Sequence, residues 1–359
     1  MAVEVWNGEE RRVVVSVGEV TGAVGDSVTV LPVVVAVAAL TDLHLPVLLL
    51  GFAVFQFVWG FRYGVPVSVE PMKALAGLVI AGALSAPELM SAGLLAGGVL
   101  LALGSVGAVG RLADVVGEPV VRGVQLSVAL VLARTGLGLG VAAPATATLA
   151  VGVAAVAVAL GYRRASALAV LAVGVVLAGL DVGVPTAGLP ALAPGVGFAF
   201  TTDGLAATAG QLAMTVGNAA VATSLLLSDL YDADVSPDEL ATSMGAMNLL
   251  AVPFGAMPMC HGSGGVAGKY AFGARSAGAN LVLGVLYATA ALFAADLVAA
   301  FPLAVLGVVL ALVAVELGKA GLATERRWLA VGVGVLGLLT NVGVAFVVGV
   351  GVDRLRNKV

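Results

Sequence analysis

The chain has 359 residues, of which 60% are hydrophobic and only 11% are charged, and its mean hydropathy is +1.12. About a quarter of the residues in a soluble domain are charged, so this composition excludes an ordinary soluble protein. The net charge of −4 lies in short loops and indicates no partner. The apolar runs lack the alternation of a membrane β-barrel. The sequence therefore predicts an all-α polytopic membrane protein, whose backbone groups bond to one another within lipid.

Apolar runs and helix breakers predict two sets of seven helical elements in chain order. The first set lies near residues 20–40, 45–61, 71–84, 87–106, 115–133, 143–161 and 164–180. The second set lies near residues 210–230, 238–252, 258–273, 275–296, 298–318, 324–340 and 341–352. Some elements are shorter than the roughly 20 residues that cross the hydrocarbon core, so about 12 to 14 spans are expected. Any even number of spans places both termini on one side.

The basic residues indicate which side that is, because cytoplasmic loops are enriched in Lys and Arg. If segment 1–18 is cytoplasmic, only Arg134 falls on the extracellular side, and Lys73 falls within a helix. The remaining basic residues occupy inner positions: Arg11, Arg12, Arg62, Arg111, Arg122, Arg163, Arg164, Lys269, Arg275, Lys319, Arg326, Arg327, Arg354, Arg356 and Lys358. The chain is predicted to lie in the cell membrane with segment 1–18 and tail 353–359 in the cytoplasm. Segment 1–18 lacks the apolar stretch of a signal peptide.

Two pairs of similar stretches recur in the same order in the two halves. "VPVSVEPMK" at 65–73 matches "VPFGAMPMC" at 252–260, and "GEVTGAVGD" at 18–26 matches "GQLAMTVGN" at 210–218. The second match pairs Glu19 with Gln211 and Asp26 with Asn218. Because each half has an odd number of elements, the halves cross the membrane in opposite directions, as in inverted-repeat transporters. The predicted units are a first repeat at 19–181, an extracellular connection at 182–209 and a second repeat at 210–352.

The proline-rich stretches predict two half-helices at the centre of the membrane. Residues 65–69 and 252–256 are expected to be extended, and the half-helices are expected to start near Pro71 and Pro258. The N-terminus of a helix carries free N–H groups and a partial positive charge, so two such ends form an anion site. The alternative is that the prolines merely kink packed helices. The glycine run at 261–268 permits close approach of either a ligand or a second helix.

Four stretches resemble the molybdate transporter branch of the sulphate permease (SulP) superfamily. They are "GAVGDSVTVLP" at 22–32, "VSVEPMKALAG" at 67–77, "VVRGVQLSVAL" at 120–130 and "MGAMNLLAVPFGAMPMCHGSGGVAGKYAFGAR" at 244–275. The resemblance implies a fold of seven plus seven inverted helices, divided into core and gate domains, and secondary transport of tetrahedral oxyanions. This branch typically lacks the C-terminal STAS domain of many sulphate permeases, and none is expected here.

The resemblance also implies a substrate site formed by the first, third, eighth and tenth helices. Its residues would be Gly25, Asp26, Pro71, Met72, Lys73, Gln211, Thr215, Asn218, Ala256, Met257, Pro258 and His261. Glu70 stands where the family usually has glutamine. An ionised Glu70 would repel an anion, so it is expected to be turned away, protonated or part of the coupling.

Acids within the membrane are candidates for proton coupling, since an ionisable group there costs at least about 2.5 kcal/mol. The candidates are Glu19, Glu70 and Asp26, although Glu19 could equally be an interfacial residue at the end of the first helix. Lys73 either supplies charge to the oxyanion or neutralises one of these acids. Gln211 and the polar residues one and two turns later either bind the oxyanion or hold helices together.

No metal and no cofactor are predicted. Cys260 and His261 are adjacent, but His44 lies in an outer loop and a zinc site needs about four well-placed ligands. A single cysteine also excludes an intramolecular disulfide. Neither a nucleophile with a base nor a metal cluster is arranged as an enzyme would need. The acidic stretch at 228–240 is expected to be a solvated connection, with Ser236 capping the next helix.

The sequence therefore predicts a secondary active transporter that imports molybdate, or a related oxyanion such as sulphate or tungstate, by proton symport. A nucleobase or organic-anion transporter of the same architecture is one alternative. It would be expected to have carboxylates on the eighth and tenth helices, where Gln211 and Met257 stand. An anion channel is the other. The lipid bilayer is the expected environment, a homodimer is possible, and no nucleic acid is expected to bind.

Overall fold

The structure is a computed structural model that describes residues 3–7, 12–183, 186–188 and 197–356. The segment 1–18, the connection 182–209 and the tail 353–359 lie partly outside these residues. Their boundaries, and those of the two repeats, stay predictions.

The first half of the chain begins with a hairpin that the all-α prediction did not include. In order, its elements are β1 (Val3–Asn7), β2 (Arg12–Val15), α1 (Val17–Leu40), α2 (Leu45–Tyr63), β3 (Glu70–Pro71), α3 (Lys73–Ile80), α4 (Ala86–Ser105), α5 (Val109–Val116), α6 (Glu118–Ala142), α7 (Pro144–Ala159), a 3₁₀ turn (Arg163–Ala165) and α8 (Ser166–Val182).

The second half repeats this pattern with one long interrupted helix at its start. Its elements are α9 (Thr202–Met214), a π-helical segment (Thr215–Ala222), α10 (Thr223–Tyr231), α11 (Pro237–Ala251), a 3₁₀ turn (Val252–Phe254), β4 (Met259–Cys260), α12 (Ser263–Ala271), α13 (Gly278–Ala299), α14 (Leu303–Gly321), α15 (Arg327–Leu339) and α16 (Val342–Arg356).

These elements confirm the predicted helical membrane fold. Among the described residues, six helices are long and apolar enough to cross a membrane, and four further apolar helices are shorter. Strand β3 with α3, and β4 with α12, supply the predicted half-helices. The short helix α5 was not predicted. The cap predicted at Ser236 is present and forms a capping box: the Ser236 hydroxyl accepts the Glu239 N–H, and the Glu239 carboxylate accepts the Ser236 N–H.

The half-helices begin later than the prolines suggested, at Lys73 and Ser263. The cause is strand pairing, because the residues just before each helix form β3 and β4 and are held extended by each other. The prediction that residues 252–256 are extended was wrong. Val252–Phe254 continues α11 as a 3₁₀ turn that ends at Gly255, whose φ of 87° suits glycine.

Helix packing follows the inverted repeat. The second element of each repeat packs on the fourth element of the other, so that α2 contacts α13 and α11 contacts α4. The third elements meet as β3 and β4, and the fifth elements meet as α6 and α14. Helices α1–α4 and α9–α13 form the core domain, and α6–α8 with α14–α16 form the gate domain. The half-helices lie inside the core.

Glycine fixes the crossing of α6 and α14 in the gate. A Cβ on Gly136 would lie 2.5 Å from the carbonyl oxygen of Gly307, and a Cβ on Gly307 would lie 2.5 Å from the carbonyl oxygen of Gly136. The two backbones therefore touch, as small residues permit between membrane helices.

Replacing Gly136 with valine should force these helices apart. We expect Gly136→Val to lower the free energy of unfolding by about 1–3 kcal/mol, as overpacking usually does, measured as a lower thermal midpoint in detergent. Gly138→Val is the matched control, because a Cβ at Gly138 meets no atom within 4 Å. Equal losses in the two variants would show that the crossing does not depend on this contact.

Candidate functional site

The centre of the site is the antiparallel pair of β3 and β4. Glu70 lies opposite Cys260 and Pro71 lies opposite Met259, and the Met72 N–H donates to the Pro258 carbonyl over 2.9 Å. One strand comes from each repeat, so this pair joins the two halves of the core. The predicted residues Pro71, Met72 and Pro258 therefore lie together, and their role here is to fix the starts of the half-helices.

Asn248, which the sequence analysis did not select, holds β4 from the side of α11. Its side-chain NH₂ donates to the Met259 carbonyl over 2.7 Å, and its oxygen accepts the Met259 N–H over 2.8 Å. The Asn248 side chain thus takes the place of a neighbouring strand for Met259, which is fully buried and has no water to bond. Pro258 packs against Gly93 of α4, where any side chain would collide with the proline ring.

The N-terminus of α3 is capped by a side chain from the other repeat. The Gln211 oxygen accepts the N–H groups of Ala74 and Leu75 over 2.9 and 3.3 Å. Its NH₂ group donates to the Thr215 hydroxyl over 2.9 Å. Gln211 and Thr215 therefore lie at a half-helix, as predicted. Asn218, in the π-helical segment, turns instead to α12, where its oxygen accepts the Ser263 hydroxyl over 2.6 Å.

The N-terminus of α12 holds a carboxylate. Glu70 accepts the Gly265 N–H over 2.7 Å and the Ser68 hydroxyl over 3.3 Å, and its second oxygen forms an ion pair with Lys73. Glu70 thus lies at the N-terminus of α12 as an ion pair with Lys73, and its expected part in the coupling stays a prediction. Lys73 therefore neutralises an acid here, which is one of the two roles proposed for it.

A second ion pair lies behind the first. Asp26 and Lys269 are both fully buried, with 3.1 Å between Oδ2 and Nζ. The Ser68 hydroxyl donates to the other Asp26 oxygen over 2.6 Å, so Ser68 lies between the carboxylates of Asp26 and Glu70. In the row Lys73, Glu70, Ser68, Asp26 and Lys269, two acids that share a hydroxyl thus lie between two lysines, and each acid has a basic partner. Buried charges are tolerated when they are paired in this way.

Lys269 corrects the sequence analysis, which counted it among the inner loop positions. It lies in the last turn of α12 and is buried. Besides Asp26, its ammonium donates to the Val67 carbonyl over 2.7 Å, to Asn280 over 3.0 Å and to Gln56 over 3.3 Å. Its position after a glycine-rich apolar run was the one signal available in the sequence.

The other predicted site residues lie further from Lys73. Glu19, buried at the start of α1, accepts the N–H groups of Arg275, Ser276 and Ala279 and so holds the turn before α13. His261 is buried: Nδ1 lies 2.8 Å from the Ser68 carbonyl and Nε2 lies 2.7 Å from the Ser243 hydroxyl.

Three predicted residues pack rather than present polar groups. Gly25 lies against Gly268, and a Cβ there would be 2.9 Å from the Gly268 carbonyl. Ala256 packs on Gly51, and Met257 is buried. The structure thus brings Asp26, Lys73 and Gln211 to the half-helices but gives Gly25, Ala256 and Met257 a packing role.

A cavity of about 170 Å³ extends from Lys73 to Arg163 and Lys319. It lies between α1 and α3 of the core and α7, α8 and α14 of the gate. Basic side chains line it at three positions, namely Lys73, Arg163 and Lys319, and Glu316 is its one acid, paired with Lys319. The excess of positive charge favours an anion. In the part of the chain that the structure describes, no three His, Cys, Asp or Glu residues are grouped as metal ligands.

Two inverted repeats, paired half-helices and a cavity between core and gate define a membrane transporter of the inverted-repeat class. The transmembrane domain of the bicarbonate transporter BicA of a cyanobacterium has this fold, with a TM-score of 0.69 and 18% identity over 92% of this chain and 97% of that one. The murine anion transporter Slc26a9 in its inward-facing state matches with a TM-score of 0.66 and 14% identity, covering 98% of this chain and 69% of that one.

The chain belongs to the molybdate transporter family, whose description reads "Molybdate transporter of MFS superfamily" and which matches residues 18–132 and 203–317. Molybdate transporter 1 of Arabidopsis thaliana is 28% identical over 84% of this chain and 79% of its own length. Molybdate transporter 2 of the same plant is 29% identical over 84% and 78%. These findings confirm the predicted family, and the relatives are transporters rather than enzymes.

The two matched segments also correct the register of the repeat. They start at residues 18 and 203, and α1 and α9 start at Val17 and Thr202, the same 185 positions apart. This spacing aligns Asp26 with Gln211, so the pairing of Glu19 with Gln211 was wrong by two helical turns. The contacts agree: Asp26 lies beside Gly265 of α12, and Gln211 caps α3.

The Asp26–Lys269 pair can be tested by double substitution. We expect Lys269→Met to lower stability by about 3–5 kcal/mol because it leaves Asp26 buried without a counter-charge. Adding Asp26→Asn should recover part of that loss, and the measurement is the thermal midpoint of each variant in detergent. If the double variant loses as much as the two single variants combined, the two charges do not stabilise each other.

Proposed function

We propose that this chain imports molybdate, or a related tetrahedral oxyanion such as sulphate or tungstate, by proton symport across the cell membrane. Both termini would lie in the cytoplasm. The observation that carries the proposal is the position of Lys73. It stands in the first turn of a half-helix, pairs with a buried acid, and is the residue through which the central charges reach the cavity.

The chemistry at this position suits an oxyanion. The N-termini of α3 and α12 meet there through β3 and β4, and each adds partial positive charge. Lys73 adds a full charge on a side chain that is 17% exposed, so it can turn to a ligand. The remaining donors are neutral, which allows release as well as binding. The names of the Arabidopsis relatives support molybdate as the substrate.

The direction of the cavity supports the proposed topology. It extends to Arg163 and Lys319, which lie at the ends of α7 and α14 on the same face as the start of α1. An excess of Lys and Arg marks the cytoplasmic face. The cavity would then be the cytoplasmic exit, and the murine transporter with the same fold is described in an inward-facing state.

Proton coupling follows from the charge of the substrate. Moving a negative charge into a cell whose interior is negative costs about 2.3 kcal/mol per charge for each 100 mV, and a dianion meets this cost twice. Protons that enter with the dianion offset it. The three coupling candidates Glu70, Asp26 and Glu19 are all buried, and Glu70 is the one of them whose partner, Lys73, lines the cavity.

Uptake of labelled molybdate into proteoliposomes with an inward proton gradient tests the proposal. We expect saturable uptake that persists in excess sulphate and stops when the gradient is abolished. Loss of uptake in equimolar sulphate would indicate a general sulphate carrier, and non-saturating flux without coupling would indicate a channel. Absence of any oxyanion uptake would contradict the proposal and favour an organic-anion substrate.

Lys73 should be essential to this uptake. We expect Lys73→Met to reduce it by at least about tenfold, the effect of losing one charge-assisted hydrogen bond of about 1.5–3 kcal/mol. Arg62→Met is the matched control, because it removes a positive charge from an exposed pair with Glu239 on α11. Similar uptake by both variants would exclude Lys73 from the anion path.

A further inference from the structure

We propose that the carboxylate of Glu70 is a built-in competitor of the substrate. In the free protein it occupies the anion position between Lys73 and the N-terminus of α12. The incoming oxyanion displaces it from Lys73, and Glu70 takes up one proton as it withdraws. This inference rests on the proposed function and specifies how the anion and the proton are coupled at that site.

The carboxylate makes the contacts that an oxyanion would make. One oxygen accepts the Gly265 N–H over 2.7 Å and the Ser68 hydroxyl over 3.3 Å, and the other oxygen pairs with the Lys73 ammonium. A backbone amide at a helix N-terminus, a hydroxyl and an ammonium are also the donors that bind tetrahedral oxyanions. Glu70 and the substrate therefore compete for the same groups.

The backbone around Glu70 is shaped to receive a carboxylate. A Cβ on Gly262 would overlap the carboxyl carbon and both oxygens of Glu70. A Cβ on Gly265 would overlap Glu70 together with Ser68 and Asp26. These two glycines thus keep open the space that the carboxylate fills. In the glycine run at 261–268, Gly262 and Gly265 therefore make room for the carboxylate. Gly268 instead allows α12 to pack against α1.

Glu70 can be reached from the cavity, whereas the other central acid, Asp26, cannot. Lys73 lies between the Glu70 carboxylate and the cavity, and its side chain lines that cavity. A dianion that enters there meets Lys73 first. Asp26 is held by Lys269, and both side chains are fully buried, so the substrate has no direct route to this second pair.

The charges around Glu70 determine the proton step. Lys73 faces it from α3, Asp26 from α1 and Lys269 from α12, with Cys260 in β4 and His261 just after it. Lys269 balances Asp26 and is not available to Glu70. When the Lys73 ammonium turns to an oxyanion oxygen, Glu70 loses its one counter-charge beside a new dianion. Its Oε2 then accepts a proton from hydronium in the cavity, leaving water, and no other covalent bond changes.

A comparison of the N-termini of α3 and α12 predicts how many protons bind with each oxyanion. At α3 the corresponding amide groups are occupied by the neutral oxygen of Gln211, which has no proton to gain. Only one of the two helix ends carries a carboxylate, so one proton should accompany each oxyanion at this site.

Proton uptake during binding tests the inference on the full-length purified protein. Labelled molybdate is bound in weakly buffered detergent solution, and a pH indicator counts the protons taken up. We expect the wild type to take up about one proton per molybdate. By linkage, its affinity for molybdate should then fall about tenfold for each unit that the pH rises, over the range in which Glu70 is ionised in the free protein. Glu70→Gln should take up none and bind with the same or higher affinity at every pH.

Glu118→Gln is the matched control, since it removes an acid from a surface ion pair with Arg122, and it should behave as the wild type. Glu70→Asp is the second variant, in case the glutamine does not fold. Its shorter side chain should release Lys73 and α12 in part, so we expect tighter molybdate binding with proton uptake retained.

Three outcomes separate the possibilities. If folded Glu70→Gln binds molybdate with unchanged proton uptake, another acid takes the proton and the inference is overturned. If folded Glu70→Gln and Glu70→Asp both bind much more weakly than the wild type, Glu70 is part of the site rather than its competitor, which also overturns it. If the wild type binds neither molybdate, sulphate nor tungstate, the proposed function itself fails.

Discussion

The hydrocarbon core offers no water to a backbone N–H or C=O group, and this chain interrupts two helices there. The consequence is visible in nearly every polar side chain at the centre. Lys269 bonds the Val67 carbonyl, His261 contacts the Ser68 carbonyl, Asn248 bonds both groups of Met259, and Gln211 bonds two amides of α3. These residues first make the interrupted backbone tolerable in lipid. The proposed anion site uses groups already required for that purpose.

The sequence predicted the features that depend on local patterns. Hydropathy located the membrane elements, and the matching proline-rich stretches at 65–73 and 252–260 located the half-helices. The odd number of elements in each half indicated that the two halves are inverted. The starts of the half-helices were missed because they depend on pairing between strands about 190 residues apart, which no local pattern reveals. Lys269 was missed because a lysine near a helix end looks like a loop residue when its partner, Asp26, is remote in sequence. The register of Gln211 was misjudged because a Gly- and Val-rich chain offers several similar alignments.

Charge balance at the centre has a further effect on the transport cycle. The two central ion pairs, Glu70 with Lys73 and Asp26 with Lys269, sum to zero. If the core moves as the proposed function requires, these pairs carry no net charge through the low-dielectric region, where an uncompensated ion is costly. A bound dianion would add negative charge unless protons accompany it. The same balance that stabilises the resting protein thus makes the energetic cost of movement depend on what is bound.

The β3–β4 pair has a mechanical consequence. It links the two repeats by backbone hydrogen bonds in a place where broken bonds find no replacement, and Asn248 reinforces one side. The two half-helices are therefore tied to each other, and under the proposed function we expect them to move together with the whole core. The gate has a backbone contact of its own at Gly136 and Gly307, and we expect it to stay in place while the core moves.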